Sequence, residues 1–353
     1  MPRIAIIPGD GIGVDVTREA VKVLQVVKDA GTPLSWTEFD YGAEKYLATG
    51  ITLPDEEIEN FRNNYNAIFL GAVGDPRVPD MRHAADILLG LRFKLDLYVN
   101  YRPVRLLDER LCPLKDKTCE DVDFVVFREN TEEMYAGVGG FLKKGTPDEV
   151  AIQTAVNTRK GVERIIRYAF EYAKKHQRPK VTMSNKSNAM RYEGDLWDRV
   201  FKEVSSEYPE IEANHLYIDA LVMQMVKRPE QFEVIVTCNM FGDIATDLGA
   251  QLQGGLGLAG SGNLHPGRTS LFEPVHGSAP KYAGLDRANP LAAISTVGIM
   301  LAELGYPQWE RAIENAIRNA LKTRQVTVDL GGTLGAAATG DAICNYLCSV
   351  TND

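Results

Sequence analysis

Short apolar runs alternate with helix-like segments along the first third of the chain. Arg3–Pro8, Leu34–Asp40 and Ala67–Val73 are apolar runs with the length of buried strands. Between them, Val14–Ala30 and Asp55–Asn63 repeat apolar residues at helical spacing. Buried strands that alternate with amphipathic helices indicate a mostly parallel sheet covered on both faces. The pattern therefore predicts an α/β fold.

The rest of the chain departs from this regular alternation. Further strands are predicted at Leu97–Leu106, Asp123–Arg128, Val150–Val156, Lys180–Ser184 and Val234–Cys238, and helices at Lys160–Lys175, Leu291–Leu304 and Trp309–Lys322. The glycine-rich segment Gly137–Thr146 is typical of the turn of a projecting hairpin. From Gly254 to Asn289 the pattern predicts mainly loops. No linker-like or repeated segment is visible, so we expect a second domain inserted into the first.

Composition and charge narrow the function classes. The chain has 353 residues, of which 44% are hydrophobic and 25% charged, as in ordinary globular proteins. That length predicts two domains or one large domain. The net charge of −9 disfavours broad nucleic-acid binding, which usually needs a basic face. An enzyme of this charge that acts on acidic metabolites must build locally positive sites.

Neither targeting signals nor a cysteine framework is predicted. The segment Met1–Asp10 is strand-like and not a signal peptide, and no uninterrupted apolar run reaches the roughly 18 residues of a membrane span. The chain has five cysteines, an odd and low number for its length. Cys112 and Cys119 lack the CxxC spacing of many metal sites. We therefore expect reduced thiols, a cytoplasmic location, and no nucleic-acid or membrane partner.

A glycine-rich loop, Pro8–Gly13 (PGDGIG), follows the first predicted strand and opens a helix. Glycines at such a turn can let a pyrophosphate approach a helix N-terminus, as in Rossmann proteins. The spacing here is GxGxG and not GxGxxG. A loop with another role is therefore favoured over a Rossmann dinucleotide site.

Three arginines lie in otherwise apolar segments. Arg92, Arg102 and Arg128 occur in LLGLRFKL, YVNYRPVR and FVVFRENT. A guanidinium fork binds planar carboxylates and phosphates through paired hydrogen bonds. One such arginine is more often part of a structural ion pair, but three in similar contexts favour an anion-binding site.

Candidate metal ligands follow the predicted strand Val234–Cys238. Asp243 and Asp247 are four residues apart, so on a helix both carboxylates lie on one face. Such hard oxygen ligands suit Mg²⁺ or Mn²⁺. A solvated acidic start of a helix is an equally good alternative. Asp219 lies beside an apolar run, where a carboxylate is costly unless it is paired or bound to a metal.

The segment Glu273–Gly284 (EPVHGSAPKYAG) combines small residues with charged and aromatic ones. Its backbone amides can approach a ligand closely. Lys281 and Tyr282 could hold an additional phosphate. The lone His276 is by itself more often a structural residue.

Together these segments resemble the β-decarboxylating 2-hydroxyacid dehydrogenases, the family of isocitrate, 3-isopropylmalate, homoisocitrate and tartrate/D-malate dehydrogenases. The matching motifs are PGDGIG, LRFKLDLYVNYRPVR, FRENTEEMYAG, NKSNAM, YIDA, NMFGDIATD, EPVHGSAPKYAG and DLGGT. The resemblance implies the family's two-domain α/β fold, which is not a Rossmann fold. Residues 1–98 and 255–353 would form a large cofactor-binding domain. Residues 99–254 would form a small domain with a dimer interface and a projecting β-arm.

The resemblance also assigns site residues. It implies that Tyr135 protonates the enol and that Lys186 transfers the hydroxyl proton. The substrate-binding residues would be Leu88, Leu89, Arg92, Arg102 and Arg128; the ligands of Mg²⁺ or Mn²⁺ would be Asp219, Asp243 and Asp247; and the cofactor-binding residues would be Glu273, His276, Gly277, Ser278, Ala279, Pro280, Lys281, Tyr282 and Asn289. Lys186 and Asp219 would serve the partner's site in a homodimer.

The implied reaction is the metal-dependent oxidative decarboxylation of a (2R)-2-hydroxy acid with a β-carboxylate, with reduction of NAD(P). Loss of the hydride gives a 2-keto acid, and a metal on its oxygen stabilises the charge that develops as CO₂ leaves. A lysine can act as the base and a tyrosine can return the proton. The nicotinamide carries out the redox step.

The substrate and the coenzyme are predicted from local differences. Leu88 and Leu89 stand where isocitrate enzymes carry polar residues, and Ala85 stands where isopropylmalate enzymes carry an acid. With the segments FRENTEEMY and YVNYRPVRLL, this favours D-malate or tartrate as substrate. The alternative is 3-isopropylmalate, and isocitrate or homoisocitrate is less favoured. Lys281 and Tyr282 resemble the NADP pattern and favour NADP over NAD.

Two departures from the family's patterns and one rival function remain. Glu133 replaces the usual glycine after ENTE, and Val328 and Gly332 replace a tyrosine and an arginine found in some NADP enzymes. The rival function is a non-catalytic subunit. Such a subunit would be expected to lose a reactive residue, yet the chain retains all four: Tyr135, Lys186, Asp243 and Asp247.

Overall fold

The computed structural model describes residues 1–351 of the chain. In chain order its strands are β1 (Arg3–Gly9), β2 (Ser35–Glu38), β3 (Ala67–Ala72), β4 (Val99–Arg105), β5 (Asp123–Glu129), β6 (Gly139–Leu142), β7 (Val150–Gln153), β8 (Lys180–Asn185), β9 (Glu212–Tyr217), β10 (Val234–Thr237), β11 (Gly260–Leu264) and β12 (Ser270–Pro274). Its helices are α1 (Ile12–Asp29), α2 (Ala43–Thr49), α3 (Asp55–Asn64), α4 (Arg82–Lys94), α5 (Arg159–Lys175), α6 (Arg191–Ser205), α7 (Ile218–Lys227), α8 (Asn239–Leu252), α9 (Leu291–Glu303), α10 (Pro307–Lys322) and α11 (Ala336–Thr351).

The chain divides into two compact units. Unit 1 comprises Met1–Leu97, Arg105–Glu120 and the chain from Ala250 onward, and unit 2 comprises Tyr98–Val104 and Asp121–Gly249. Residues 105–120 group with unit 1, whereas we placed them in the small domain. The roles predicted for the two domains, in cofactor binding and in dimer formation, stay predictions.

Unit 1 contains five sheet strands in the order β2-β1-β3-β12-β11. β1 runs parallel to β2 and β3, β12 runs parallel to β3, and β11 is antiparallel to β12. The central strand β3 is buried along its whole length. A hydrophobic cluster joins Leu70 of β3 to Phe61 of α3 and Leu91 of α4. The strands are thus held by helices through apolar contacts, as the sequence pattern predicts.

Unit 2 contains five further strands in the order β4-β5-β10-β8-β9. β10 runs parallel to β5 and β8, and β8 runs parallel to β9. Helix α5 packs against β5 and β10. Its apolar positions recur every three or four residues and are buried, from Val162 to Ala173. The predicted α/β class is therefore confirmed, with a mixed sheet.

A separate two-stranded ribbon in unit 2 pairs β6 with β7 in antiparallel register, with Phe141 opposite Ala151. Gly139–Leu142, which we predicted as part of a turn, is one of its strands. All eight strand residues are exposed, including the side chains of Phe141 and Ile152. We call this ribbon the β-arm.

The segment Gly254–Asn289, predicted as mainly loops, also contains the strands β11 and β12, which were not predicted. β11 is buried throughout, but its sequence GSGNL shows neither an apolar run nor an alternation of apolar and polar residues. Its glycines are required by close packing: a Cβ on Gly260 would lie 2.9 Å from the backbone nitrogen of Thr296 in α9. Among the helices that the structure describes, none is long and apolar enough to cross a membrane.

Candidate functional site

The glycine-rich loop Pro8–Gly13 is organised around the buried carboxylate of Asp10. This carboxylate accepts hydrogen bonds from the backbone nitrogens of Ala43 (2.6 Å) and Gly74 (2.7 Å) and lies 3.0 Å from Nε2 of His83. Gly11 adopts a φ of 57°, and a Cβ there would clash with the carbonyl oxygen of Ser278. The loop is therefore a packing element of unit 1, in line with the expectation that it has a role other than pyrophosphate binding.

The Glu273–Gly284 segment is fixed to that loop by backbone contacts. The Ile12 nitrogen donates to the Ser278 carbonyl (2.7 Å), and the Ser278 hydroxyl donates to the Gly74 carbonyl (2.6 Å). Nε2 of His276 is buried and has no hydrogen-bond partner among the described residues. Burial lowers the pKa of this imidazole, so it is neutral near pH 7. A buried, unpartnered ring nitrogen fits a segment that receives a polar ligand.

Other predicted cofactor residues differ in how far they are free to contact a ligand. Gly277 and Pro280 are exposed, Ala279 is partly buried, and the Lys281 ammonium lies 4.7 Å from the centre of the Tyr282 ring. Glu273 accepts a hydrogen bond from Asn263 (2.8 Å). Asn289 accepts from the Leu291 nitrogen at the start of α9 and donates to Asp329. These last two side chains have structural roles that sequence reasoning did not foresee.

Helix α4 carries three predicted substrate residues on neighbouring turns. Arg92, near its C-terminal end, is 5% exposed. Leu88 packs against the hydrophobic cluster of unit 1, whereas Leu89 lines a surface groove with Ala85 and Phe93. Because residues three and four apart lie on one side of a helix, both leucines lie close to Arg92. Helix α4 thus carries both leucines one turn before the arginine.

In unit 2, Arg128, Tyr135 and Asp243 form one connected group. Arg128 lies at the end of β5, donates to Asn239 Oδ1 (2.9 Å) and forms an ion pair with Asp243. The Tyr135 hydroxyl donates to the other oxygen of Asp243 (3.1 Å). Burial, and to a lesser degree Asp243, raises the pKa of Tyr135, so the phenol keeps its proton at neutral pH. We call this set the Asp243 group.

Asp247 and Arg102 belong to the same electrostatic environment. Burial and the neighbouring Asp243 raise the pKa of Asp247, while Arg102 and Arg128 oppose this effect. Asp243 and Asp247 lie on helix α8, four residues apart, as predicted. Two repelling carboxylates near two arginines make a site that can gain from a divalent cation.

Lys186 and Asp219 form a second pair in unit 2. Lys186 Nζ lies 2.9 Å from Asp219 Oδ1, and this bond lowers the pKa of Asp219. The side chain of Asp219 is 64% exposed. Among the described residues, Asp219, Asp243 and Asp247 do not form a group of three possible metal ligands. The residues predicted to act together thus lie in two separate sets within one chain.

Glu133 is a residue whose role sequence reasoning missed. It has a φ of 67°, a conformation that glycine adopts without strain, which suits the glycine that the resemblance led us to expect here. Its buried carboxylate accepts a hydrogen bond from the Met240 nitrogen (2.6 Å) at the start of α8. The signal in the sequence was the departure from glycine itself.

The sequence profile of the family described as isocitrate/isopropylmalate dehydrogenase matches residues 3–344. The chain belongs to this family. It is therefore an NAD(P)-dependent β-decarboxylating dehydrogenase, as predicted, in a family that uses a divalent metal and a small-molecule substrate. The isocitrate dehydrogenase structure from Methylococcus capsulatus has a TM-score of 0.88 and 38% identity, covering 98% of this chain and 99% of that one.

Curated relatives correct the predicted substrate branch. A 3-isopropylmalate dehydrogenase from Thermobifida fusca is 48% identical, covering 97% of this chain and 96% of the relative. The same name belongs to a Streptomyces griseus protein that is 45% identical, covering 92% and 93%. The prediction of D-malate or tartrate as the preferred substrate was wrong. The prediction rested on short segments such as FRENTEEMY. These segments do not include Leu88 and Leu89, the apolar residues predicted to bind the substrate.

Proposed function

We propose that this enzyme is a 3-isopropylmalate dehydrogenase. The observation that carries the proposal is the name shared by relatives 44–48% identical over nearly the whole chain. Helix α4 supports it, because Leu88 and Leu89 lie one turn before Arg92. Such a surface matches a substrate that carries an isopropyl group next to carboxylates.

The residues of unit 2 suit the remaining chemistry. Arg102 and Arg128 bind substrate carboxylate through their guanidinium groups. Tyr135 keeps its proton at neutral pH and donates it to the enolate carbon after CO₂ leaves. Lys186 accepts the proton of the substrate hydroxyl. Asp219, Asp243 and Asp247 would hold Mg²⁺ or Mn²⁺, which would supply Lewis-acid stabilisation, and a bound nicotinamide would supply the hydride acceptor.

We also propose NADP as the preferred coenzyme. Lys281 and Tyr282 lie beside each other in the exposed part of the Glu273–Gly284 segment. An ammonium and a phenol in that position can bind a ribose 2′-phosphate, which NAD lacks. A reducing compartment such as the cytoplasm is proposed as well, because Cys112, Cys119, Cys238 and Cys344 form no disulfide within the described chain.

A substrate panel tests the substrate and the coenzyme together. It comprises 3-isopropylmalate, D-malate, L-tartrate, isocitrate and homoisocitrate, each with Mn²⁺ and either coenzyme. We expect kcat/KM to be at least about tenfold higher for 3-isopropylmalate, because burying its extra methyl groups contributes about 1–3 kcal/mol. A higher kcat/KM for any other acid would refute the substrate, and a higher value with NAD would refute only the coenzyme.

We further propose a homodimer in which Lys186 and Asp219 act in the partner's site. Support comes from the separation of this pair from the Asp243 group within one chain, and from the exposed apolar side chains of the β-arm and of Met223 and Val226 on α7. Surfaces of this kind are typical of protein interfaces. A C2 dimer would place each surface against its copy.

Complementation between two inactive variants tests this sharing. Lys186→Met and Asp243→Asn are each expected to be inactive alone. Co-expressed, they should form heterodimers with one intact site, and random pairing gives about a quarter of wild-type activity. Lys186→Met co-expressed with itself under a second tag is the control. Failure of the mixed dimers to recover activity, with dimers shown by tandem-tag purification, would refute the shared site.

A further inference from the structure

A second group of possible metal ligands lies inside unit 2, away from the residues assigned above. The thiol of Cys238 and one carboxylate oxygen each of Glu133 and Glu193 lie within 4.8 Å of one another. They come from the end of β10, the loop after β5 and the first turn of α6. Cys238 and Glu133 are each only 1% exposed. Three ligands of two types, from three separate parts of unit 2, thus meet in a largely buried place.

The carboxylates of this cluster are incompletely paired. Oε1 of Glu133 and Oε2 of Glu193 are buried without a hydrogen-bond partner among the described residues, while the Cys238 thiol interacts with both carboxyl groups and Asn157 with that of Glu193. Burial raises the pKa of both groups, that of Glu193 to about 7. Burial and the two carboxylates also raise the pKa of the Cys238 thiol. Without a bound cation, the buried carboxyl groups are favoured in their protonated form, because buried negative charges without partners are costly.

No side-chain cation of the described chain forms an ion pair with these carboxylates. Arg128 is the charged group that lowers the pKa of Glu133, but its guanidinium is already bonded to Asn239 and Asp243. The cluster therefore has two spare acceptor oxygens and no cation paired directly with it. A cation bound among these three side chains would supply one.

We propose that Cys238, Glu133 and Glu193 bind a divalent transition metal of the zinc class. One thiolate and two carboxylates are ligands that Zn²⁺ accepts, and a water can complete a tetrahedron. Mg²⁺ and Mn²⁺ prefer sites made only of oxygen ligands. The thiolate therefore gives this site a different metal preference from the aspartate site. Binding releases the proton of the thiol, and that of any protonated carboxyl, to solvent.

The location gives such a site a structural role. Glu133 is two residues before Tyr135, and Cys238 immediately precedes helix α8, which carries Asp243. A metal shared by these residues would join the loop of Tyr135 to the start of α8 and to α6. This role does not depend on which hydroxy acid the enzyme oxidises.

Cobalt titration of the chelator-stripped full-length chain tests the proposal. Excess Mg²⁺ occupies the oxygen-only sites, so a thiolate-to-cobalt charge-transfer band reports Co²⁺ bound at a cysteine, which the Cys238 variant then identifies. We expect one Co²⁺ per chain with this band, displaced by Zn²⁺. Cys238→Ser should abolish the band, and Glu133→Gly should weaken Co²⁺ binding at least tenfold.

Matched variants keep the test decisive. Glycine tolerates the φ of Glu133, so Glu133→Gly is expected to fold, which circular dichroism and Tm will check. Glu193→Gln removes a ligand charge without changing size and should also weaken binding. Cys344→Ser is the control and should leave the band intact. Absence of the band in the wild type, its survival in Cys238→Ser, or unchanged affinity in both glutamate variants would overturn the proposal.

Discussion

Asp10 in unit 1 and Asp243 in unit 2 are both aspartates that follow a buried strand, but their surroundings differ. Asp10 is 5% exposed and is held by two backbone nitrogens and an imidazole. The side chain of Asp243 is 46% exposed and contacts Arg128 and Tyr135, both predicted to act on substrate. Both oxygens of the first carboxylate are bound within the protein, whereas the second carboxylate is half exposed.

This difference distinguishes a carboxylate with a structural role from one that can bind ligands. A buried carboxylate that binds backbone and side-chain donors through both oxygens holds loops together and is poorly placed to bind a ligand. A half-exposed carboxylate that shares its environment with arginines, a phenol and a second aspartate can exchange partners as substrate and metal bind. Changes at the two positions should therefore affect different measured quantities.

Asp243→Asn should have the largest effect, on turnover. The amide loses the charge that would hold a metal and that pairs with Arg128, so we expect kcat/KM to fall by about 1000-fold, or about 4 kcal/mol of transition-state stabilisation. Tm should change little, because the side chain is half exposed. Steady-state kinetics with Mn²⁺ and differential scanning fluorimetry measure the two quantities. A variant within tenfold of wild type would remove Asp243 from the proposed site.

Asp10→Asn should have a smaller effect, on stability. Its amide group would place a donor against the nitrogen of Ala43 or Gly74, so a buried charged hydrogen bond is lost. We expect the free energy of unfolding to fall by about 3 kcal/mol, measured by urea denaturation. The exposed Asp29→Asn is the matched control and should stay within about 0.5 kcal/mol of wild type. Equal stability of the two variants would contradict the structural role of Asp10.

Much of the fold could be predicted, because its elements carry local patterns. Helices α1, α3, α5 and α9 begin and end within two residues of their predicted bounds, since their apolar positions keep helical spacing. Strand β11 could not be found this way. Its residues are mostly small or polar, and its burial depends on pairing with β12 and packing against α9, which leave no periodic signal in β11 itself.

The site shows the same limit. Strand β10 leads directly into α8, which carries Asp243 and Asp247 on one face. The spacing of four residues was enough to predict that shared face. The partners of Asp10 could not be predicted, because Ala43, Gly74 and His83 are 33 to 73 residues away. Glu133, Glu193 and Cys238 likewise approach one another only in the folded chain. Contacts between residues distant in sequence leave no periodic signal.

The conformational order of the β-arm can depend on the protein concentration. A two-stranded ribbon with every residue exposed has no core of its own and is marginally stable in isolation. The free energy that orders it must then come from whatever surface covers Phe141, Leu142 and Ile152. If that surface is a second copy, the order of the arm follows mass action and declines on dilution. Amide hydrogen exchange in the arm would then report chain association, while exchange in β3 would report unfolding of the monomer.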